Sequence, residues 1–125
     1  DDIGPYLIMD IGARITGLTC YDMKTIKLTS TATLGGDEIQ KDFENSLKSI
    51  SSEASHLIKY YQNRVGQSQV FKKIILAGGG ANIERIAPTI ENLTKIKTEI
   101  GLPQINLKTY DPRFATAIGL AMKNI

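Results

Sequence analysis

Tryptophan is absent from this 125-residue chain, and cysteine and histidine occur once each. The single cysteine, Cys20, has no partner for an internal disulfide, which excludes a small disulfide-stapled scaffold and fits a reducing compartment. One histidine and one cysteine cannot assemble a Cys/His zinc site. His56, beside Leu57 in a helical pattern, reads as a helix-surface residue rather than a base or ligand. Long apolar runs are missing too. None approaches the roughly 20 residues that span a bilayer, and Asp1-Asp2-Ile3-Gly4-Pro5 is not the basic start of a signal peptide. Direct membrane insertion is therefore not expected. Neither sign of charge dominates, with 15 basic against 13 acidic side chains, so composition offers no basic footprint for nucleic acid. These absences leave a soluble, cytoplasmic domain as the expectation, with a membrane-bound partner still compatible.

What is present is apolar and punctuated by glycine. Hydrophobic residues make up 42% of the chain, enough for one ordinary domain that buries about two-thirds of its unfolded surface. Tyr6-Leu7-Ile8-Met9 is a continuous apolar run ending at Asp10, and it predicts a strand buried on both faces. Residues 15–21 and 26–33 are rich in β-branched side chains, and Asp22-Met23-Lys24 between them predicts a hairpin. After Leu34-Gly35-Gly36, Asp37 is placed to cap one long helix or two in line. The apolar positions Ile39, Phe43, Leu47, Ile50, Ala54, Leu57, Ile58, Tyr61 and Val65 follow steps of three and four. Lys73-Ile74-Ile75-Leu76-Ala77 predicts a second buried strand, residues 83–100 a helix, and Ile105-Asn106-Leu107 a last short strand. Asp111-Pro112 opens a closing helix striped by Phe114, Ala117, Ile118 and Met122. The order strand, strand, strand, helix, strand, helix, strand, helix resembles the α/β ribonuclease H-like fold. That fold is a mixed five-stranded sheet, a three-stranded antiparallel meander plus two parallel strands, with helices on both faces. Nucleases and ATPases share it, so the loops must decide.

Three consecutive glycines in Ala77-Gly78-Gly79-Gly80-Ala81-Asn82 leave backbone bare at the end of a strand, where main-chain amides can face a nucleotide or anion. The same residues suit a tight packing turn, and on the residues alone both readings stand. Asp10-Ile11-Gly12-Ala13-Arg14-Ile15-Thr16 resembles the second phosphate-binding motif of actin-like ATPases. Leu34-Gly35-Gly36-Asp37 resembles their next loop, and residues 77–82 their adenosine motif. Within that superfamily, Tyr60-Tyr61 and the run Asp111-Pro112-Arg113-Phe114-Ala115-Thr116-Ala117-Ile118-Gly119-Leu120-Ala121 are similar to the PilM-like scaffolds of type IV pilus assembly, with the FtsA division proteins next. The resemblance covers nearly the whole chain, but only the second, C-terminal half of such a protein. It implies a single half-domain over residues 1–125. The small subdomain that those families insert is expected to be lacking, because the helical period continues through Lys48-Ser49-Ile50-Ser51-Ser52-Glu53.

The resemblance also implies roles. Asp10 would hold a hydrated magnesium ion, a task suited to a carboxylate because magnesium keeps its waters and takes few protein ligands. Gly12 would let the turn approach the phosphates, and Thr16 would offer its hydroxyl in the hairpin. Gly35 and Gly36 belong to the next loop, though they equally suit a helix-entry turn. Gly78, Gly79 and Gly80 would pass beneath ribose and adenine, with Ala81 and Asn82 at the helix start. ATP and magnesium are thus the implied cofactors, weakly held or not held by this chain alone, and catalysis by this chain alone is not expected. The implied partners are the missing half or another copy, and inner-membrane pilus assembly proteins. The implied location is cytoplasmic or peripheral to the inner membrane. Arg14 and Ile15 stand where the superfamily commonly has a glycine and a threonine, which makes the phosphate hairpin bulkier. Arg14 either pairs with phosphate or stays solvated. Two other readings remain: a self-contained interaction module with relic loops, and a metal-dependent nuclease of the same fold. The nuclease would need Asp37, Glu38 and Asp111 to converge beside Asp10.

Overall fold

A computed structural model describes residues 4–65 and 70–101. Strand β1 (Tyr6–Ile11) is followed by β2 (Thr16–Asp22) and β3 (Thr25–Ala32). Helices α1 (Gly36–Lys41) and α2 (Phe43–Val65) come next, then β4 (Lys73–Ala77), a 3₁₀ turn (Gly79–Asn82), α3 (Ile86–Thr94) and β5 (Thr98–Ile100). The five strands form one sheet in the order β3-β2-β1-β4-β5. β1–β2 and β2–β3 are antiparallel, whereas β1–β4 and β4–β5 are parallel. The expected mixed sheet is therefore present.

β1 is buried along its whole length, as a central strand with both faces covered must be. Leu7, Met9 and Ile11 point to one face, where Leu18, Cys20, Ile74 and Leu76 join them and the apolar stripes of α1, α2 and α3 close the core through Ile39, Leu47, Ile50, Ala54, Ile86 and Ile90. Tyr6 and Ile8 share the other face with Asp10, as strand alternation requires, and both are fully or almost fully buried. The β2–β3 turn places Met23 and Lys24 at φ 51° and 68°, the two positive values of a type I′ hairpin, without the usual Asn-Gly. Tyr61, on α2, donates a 2.6 Å hydrogen bond to the buried Asp22 carboxylate and meets Phe71 edge-on. This contact pins the far end of α2 to the end of β2.

The structure corrects two expectations, the Asp37 cap and the helix over residues 83–100, and of the two helical alternatives it has two helices in line. Asp37 does not cap the first helix: Gly35 occupies that position with no side-chain cap, and Asp37 lies in the first turn. The helical pattern is broken once, at Asp42, whose extended φ of −147° ends α1 and whose carboxylate accepts from Asn45 at the start of α2. The expected helix over residues 83–100 is instead α3 followed by β5. Lys95 turns left-handed at φ 63° and stops the helix, and after a bend at Ile96 the chain extends as Thr98–Ile100 beside β4. The expected strand at Ile105-Asn106-Leu107, the closing helix and its Asp111 motif lie outside the described residues.

Candidate functional site

β1 and β4 are parallel neighbours, with Asp10 opposite Ala77, so the carboxylate that ends the first strand and the glycines that follow the fourth emerge at one rim of the sheet. β3 runs parallel to β1 with β2 between them, which brings the 33–36 loop to the same rim. Three glycine-bearing loops therefore converge where a parallel sheet presents its strand carboxyl ends, the usual place for a ligand in such sheets.

Backbone hydrogen bonds lock these loops together. The N–H of Gly36 donates to the Gly12 carbonyl at 2.7 Å and that of Asp37 to the Ala13 carbonyl at 2.9 Å. The turn after β1 is closed by Gly12 N–H on the Ile15 carbonyl, 3.0 Å. Thr16 is fully buried, and its hydroxyl donates to the Leu34 carbonyl at 2.9 Å. Thr16 thus ties the second loop to the hairpin rather than presenting its hydroxyl at the surface. Gly35 has to be glycine for steric reasons: a Cβ there would run into the Gly12 carbonyl oxygen and sit 2.9 Å from the Ala13 carbonyl carbon and the Ile15 nitrogen. Gly78 adopts φ +87°, and a Cβ there would stand 2.5 Å from Asp10 Oδ1 and 2.6 Å from the Ile11 carbonyl oxygen. A side chain at 78 would bury the carboxylate it overlies.

A hollow of about 240 Å³ opens between the loops, lined by Gly12, Ala13, Gly36, Asp37, Gln40, Gly79, Gly80 and Ile83. Four of the expected residues, Gly12, Gly36, Gly79 and Gly80, border it together. Gly35, Thr16 and Ala81 are buried behind it, and Asn82 is exposed at the end of the 3₁₀ turn. Asp10 does not line the hollow but lies beneath Gly78, on the opposite face of β1 from Ile11. Only 5% of Asp10 is exposed, and its Oδ1 is buried with no hydrogen-bond partner among the described residues. Desolvation by burial pushes its pKa from 3.8 up to about 6. Arg14 is exposed.

Ala13 and Asp37 line the hollow from within the two loop motifs, whereas Gln40 and Ile83 belong to no motif. Gln40 lies off the apolar stripe one turn beyond Asp37, and that spacing was the available signal. Arg85 stacks its guanidinium 4.9 Å from the centre of the Phe43 ring, bracing the start of α3 against the α1–α2 joint. A larger open depression of about 740 Å³ between α3 and β5 includes Glu91, Lys95 and Lys97 in its lining, but none of the rim glycines borders it. Among the described residues no three His, Cys, Asp or Glu side chains cluster as a metal centre, and Asp37 and Glu38 are exposed on α1. Asp10, a single carboxylate with one unpartnered oxygen beneath Gly78, has the donor chemistry that a magnesium ion keeping its waters takes, but it lies behind the hollow and not in its lining.

The sheet order, the parallel β1–β4 pair and the three rim loops define an actin-like ATPase fold of the ribonuclease H-like kind. The family model described as cell division protein FtsA matches residues 7–119, and the chain belongs to that family. Among solved structures it resembles the ethanolamine utilization protein EutJ from Carboxydothermus hydrogenoformans, with a TM-score of 0.52, 16% identity and coverage of 78% of this chain and 44% of that one. It also resembles apo ParM of pSK41, with a TM-score of 0.50, 18% identity and coverage of 92% and 38%. A third similar structure is the PilM–PilN type IV pilus biogenesis complex, with a TM-score of 0.49, 19% identity and coverage of 93% and 44%. The chain spans less than half the length of each. No curated protein sequence matches it. Among the described residues no helix is long and apolar enough to cross a membrane.

Proposed function

We propose that this chain is the second half of an actin-like ATPase site, a half-domain that binds ATP with magnesium and acts as a scaffold in a cytoplasmic machine of cell division or envelope assembly. The observation that carries this reading is the shared rim. Asp10 at the end of β1 and Gly78–Gly80 after β4 are brought side by side by parallel pairing, and Gly79 and Gly80 border a hollow of bare backbone in front of the carboxylate.

Each wall has a task in this reading. The Gly12-Ala13 turn lets phosphate oxygens approach the main chain. Gly79 and Gly80 open a 3₁₀ turn, so their N–H groups have no acceptor within the turn and are placed to donate to an anion. Asp37 and Gln40 give the α1 wall acceptors and a donor for ribose hydroxyls or a base edge. Asp10 would hold a magnesium ion, which would supply positive charge to neutralise phosphate. Thr16 and Gly35 shape the loops without touching the ligand.

The hollow, at about 240 Å³, is below the roughly 300–1,000 Å³ of sites that enclose a ligand. This is the expected size for one wall of a cleft whose other wall comes from a second half or a second copy, and it is why catalysis is not assigned to this chain alone. The single residue Asp42 separates α1 from α2, which supports a half-domain without an inserted subdomain. Family membership supports a partner in a cell division assembly.

Calorimetric titration of magnesium and ATP into the protein tests the reading. Binding that requires magnesium and weakens about tenfold or more in Asp10→Asn, a loss of at least about 1.4 kcal/mol, supports it. No heat and no thermal shift at millimolar ATP would leave a relic-loop interaction module as the better description. A nucleotide-dependent rise in mass would identify a second copy as the missing wall.

A further inference from the structure

β3 is the outer strand of the sheet, and among the described residues no strand pairs with its other edge. Such an edge offers a row of backbone donors and acceptors to another chain, and folded proteins usually blunt it with lysine, proline or a bulge. Here those devices sit at one end only. The register with β2 shifts between Cys20 and Tyr21, where Leu28 and Ile26 are the partners, so Lys27 is the extra residue of a bulge. Beyond it Leu28-Thr29-Ser30-Thr31-Ala32 is in regular register, uncharged, and free of glycine and proline.

We infer that this run pairs antiparallel with the same run of a second copy, about a two-fold axis near Ser30, joining two five-stranded sheets into one. α2 packs on both β2 and β3 and so flanks the edge strand. With the paired edge strands about 4.8 Å apart, the two α2 helices are brought to the same face of the joined sheet, on either side of the two-fold. The helix face that flanks the edge has the side chains for such an approach. A hollow beside the Thr31 end is lined by Ser49, Ser52 and Glu53 of α2, two small residues and a carboxylate. A hollow at the other end is lined by Lys27, Arg64 and the exposed Val65, two cations on an apolar floor.

Antiparallel pairing lays the cationic end of each copy against the carboxylate end of the other, and the two-fold repeats the match. Parallel pairing would set Lys27 and Arg64 against themselves, and like charges directly opposite are destabilising. The surface is thus self-complementary in one orientation, as a closed dimer requires. This contact is separate from the rim at which nucleotide is proposed, so it forms without ATP.

Light scattering or sedimentation equilibrium on the nucleotide-free protein, over about 1–200 µM, tests the inference. The expected result is a reversible monomer–dimer equilibrium. The double variant Thr29→Lys/Thr31→Lys, at two exposed positions, should weaken it about tenfold or more, while circular dichroism shows the fold retained. Glu53→Lys alone should also weaken the dimer, and adding Lys27→Glu and Arg64→Glu should restore it. A protein that stays monomeric at the highest concentration, or a dimer that neither the lysines nor the charge reversals affect, would overturn the inference. A strand supplied by some other protein would appear as the first of those outcomes.

Discussion

Replacing Asp10 by asparagine should make the nucleotide-free protein more stable at neutral pH. The carboxylate is almost completely buried, one oxygen has no partner among the described residues, and desolvation raises its pKa from 3.8 to about 6. A group whose pKa is higher in the folded than in the unfolded state favours folding only while it is protonated. Its contribution is therefore complete below about pH 4 and is lost as pH rises through about 6. The difference of about 2 units corresponds to about 3 kcal/mol at 1.36 kcal/mol per unit, the cost of keeping this charge out of water at pH 7 and above. Asparagine keeps the shape and carries no charge, so it escapes that cost. Urea denaturation of wild type and Asp10→Asn at pH 5 and pH 7.5 measures it. At about 1–3 kcal/mol per molar of urea, the variant's midpoint should exceed wild type by about 1 M or more at pH 7.5, and the gap should shrink at pH 5. The difference between the two proteins isolates Asp10 from every other carboxylate that titrates in the range. A variant no more stable than wild type at pH 7.5, or a gap independent of pH, would refute a desolvated, unpartnered Asp10. Magnesium together with ATP should narrow the gap from the other side, because only wild type gains from the ion.

Gly78→Ala places a methyl group against Asp10 Oδ1 and forces a side chain onto φ +87°; it should cost about 2 kcal/mol or more in urea or thermal unfolding. Tyr61→Phe removes the donor of the 2.6 Å bond to Asp22 and leaves a buried carboxylate short of a partner, a loss of about 1–3 kcal/mol that calorimetric unfolding would show. Thr16→Val keeps the shape and removes the clamp on Leu34. It should cost about 1 kcal/mol and speed amide exchange at Gly36 and Asp37, whereas unchanged exchange would mean that the two backbone bonds hold the loop by themselves.

Where local pattern and tertiary demand agreed, the fold was legible in the sequence. Tyr6-Leu7-Ile8-Met9 reads as a buried strand because β1 lies at the middle of the sheet, and the steps of three and four from Ile39 to Tyr61 read as helix because that face covers the core. β5 was not legible. Ile83, Ile86, Ala87, Ile90 and Ile100 fall at helical spacing, a three-residue strand has almost no period of its own, and the left-handed stop is made by Lys95 rather than by glycine or asparagine. At the rim, glycine clusters and a strand-ending aspartate were visible as residue types. What they do depends on partners far away in sequence: Thr16 answers Leu34, Gly35 answers Gly12, and Gly78 covers Asp10. Single-residue chemistry cannot reveal such pairings, so Thr16 reads as a ligand contact from sequence and proves to be a fastener between loops.

The two bonds from the first amides of α1 to the Gly12 and Ala13 carbonyls make the short helix and the β1–β2 turn move as one body. At Asp42 the chain passes from that body into α2, a 23-residue rod about 35 Å long at 1.5 Å per residue, and Ser46 of α2 reaches back to donate to the Glu38 carbonyl at 3.0 Å. The rod's far end is bolted to β2 by Tyr61 and Asp22. A push on the turn is therefore handed to α2 across a joint that is itself hydrogen-bonded, and the lever runs from the glycine loops to the opposite margin of the sheet.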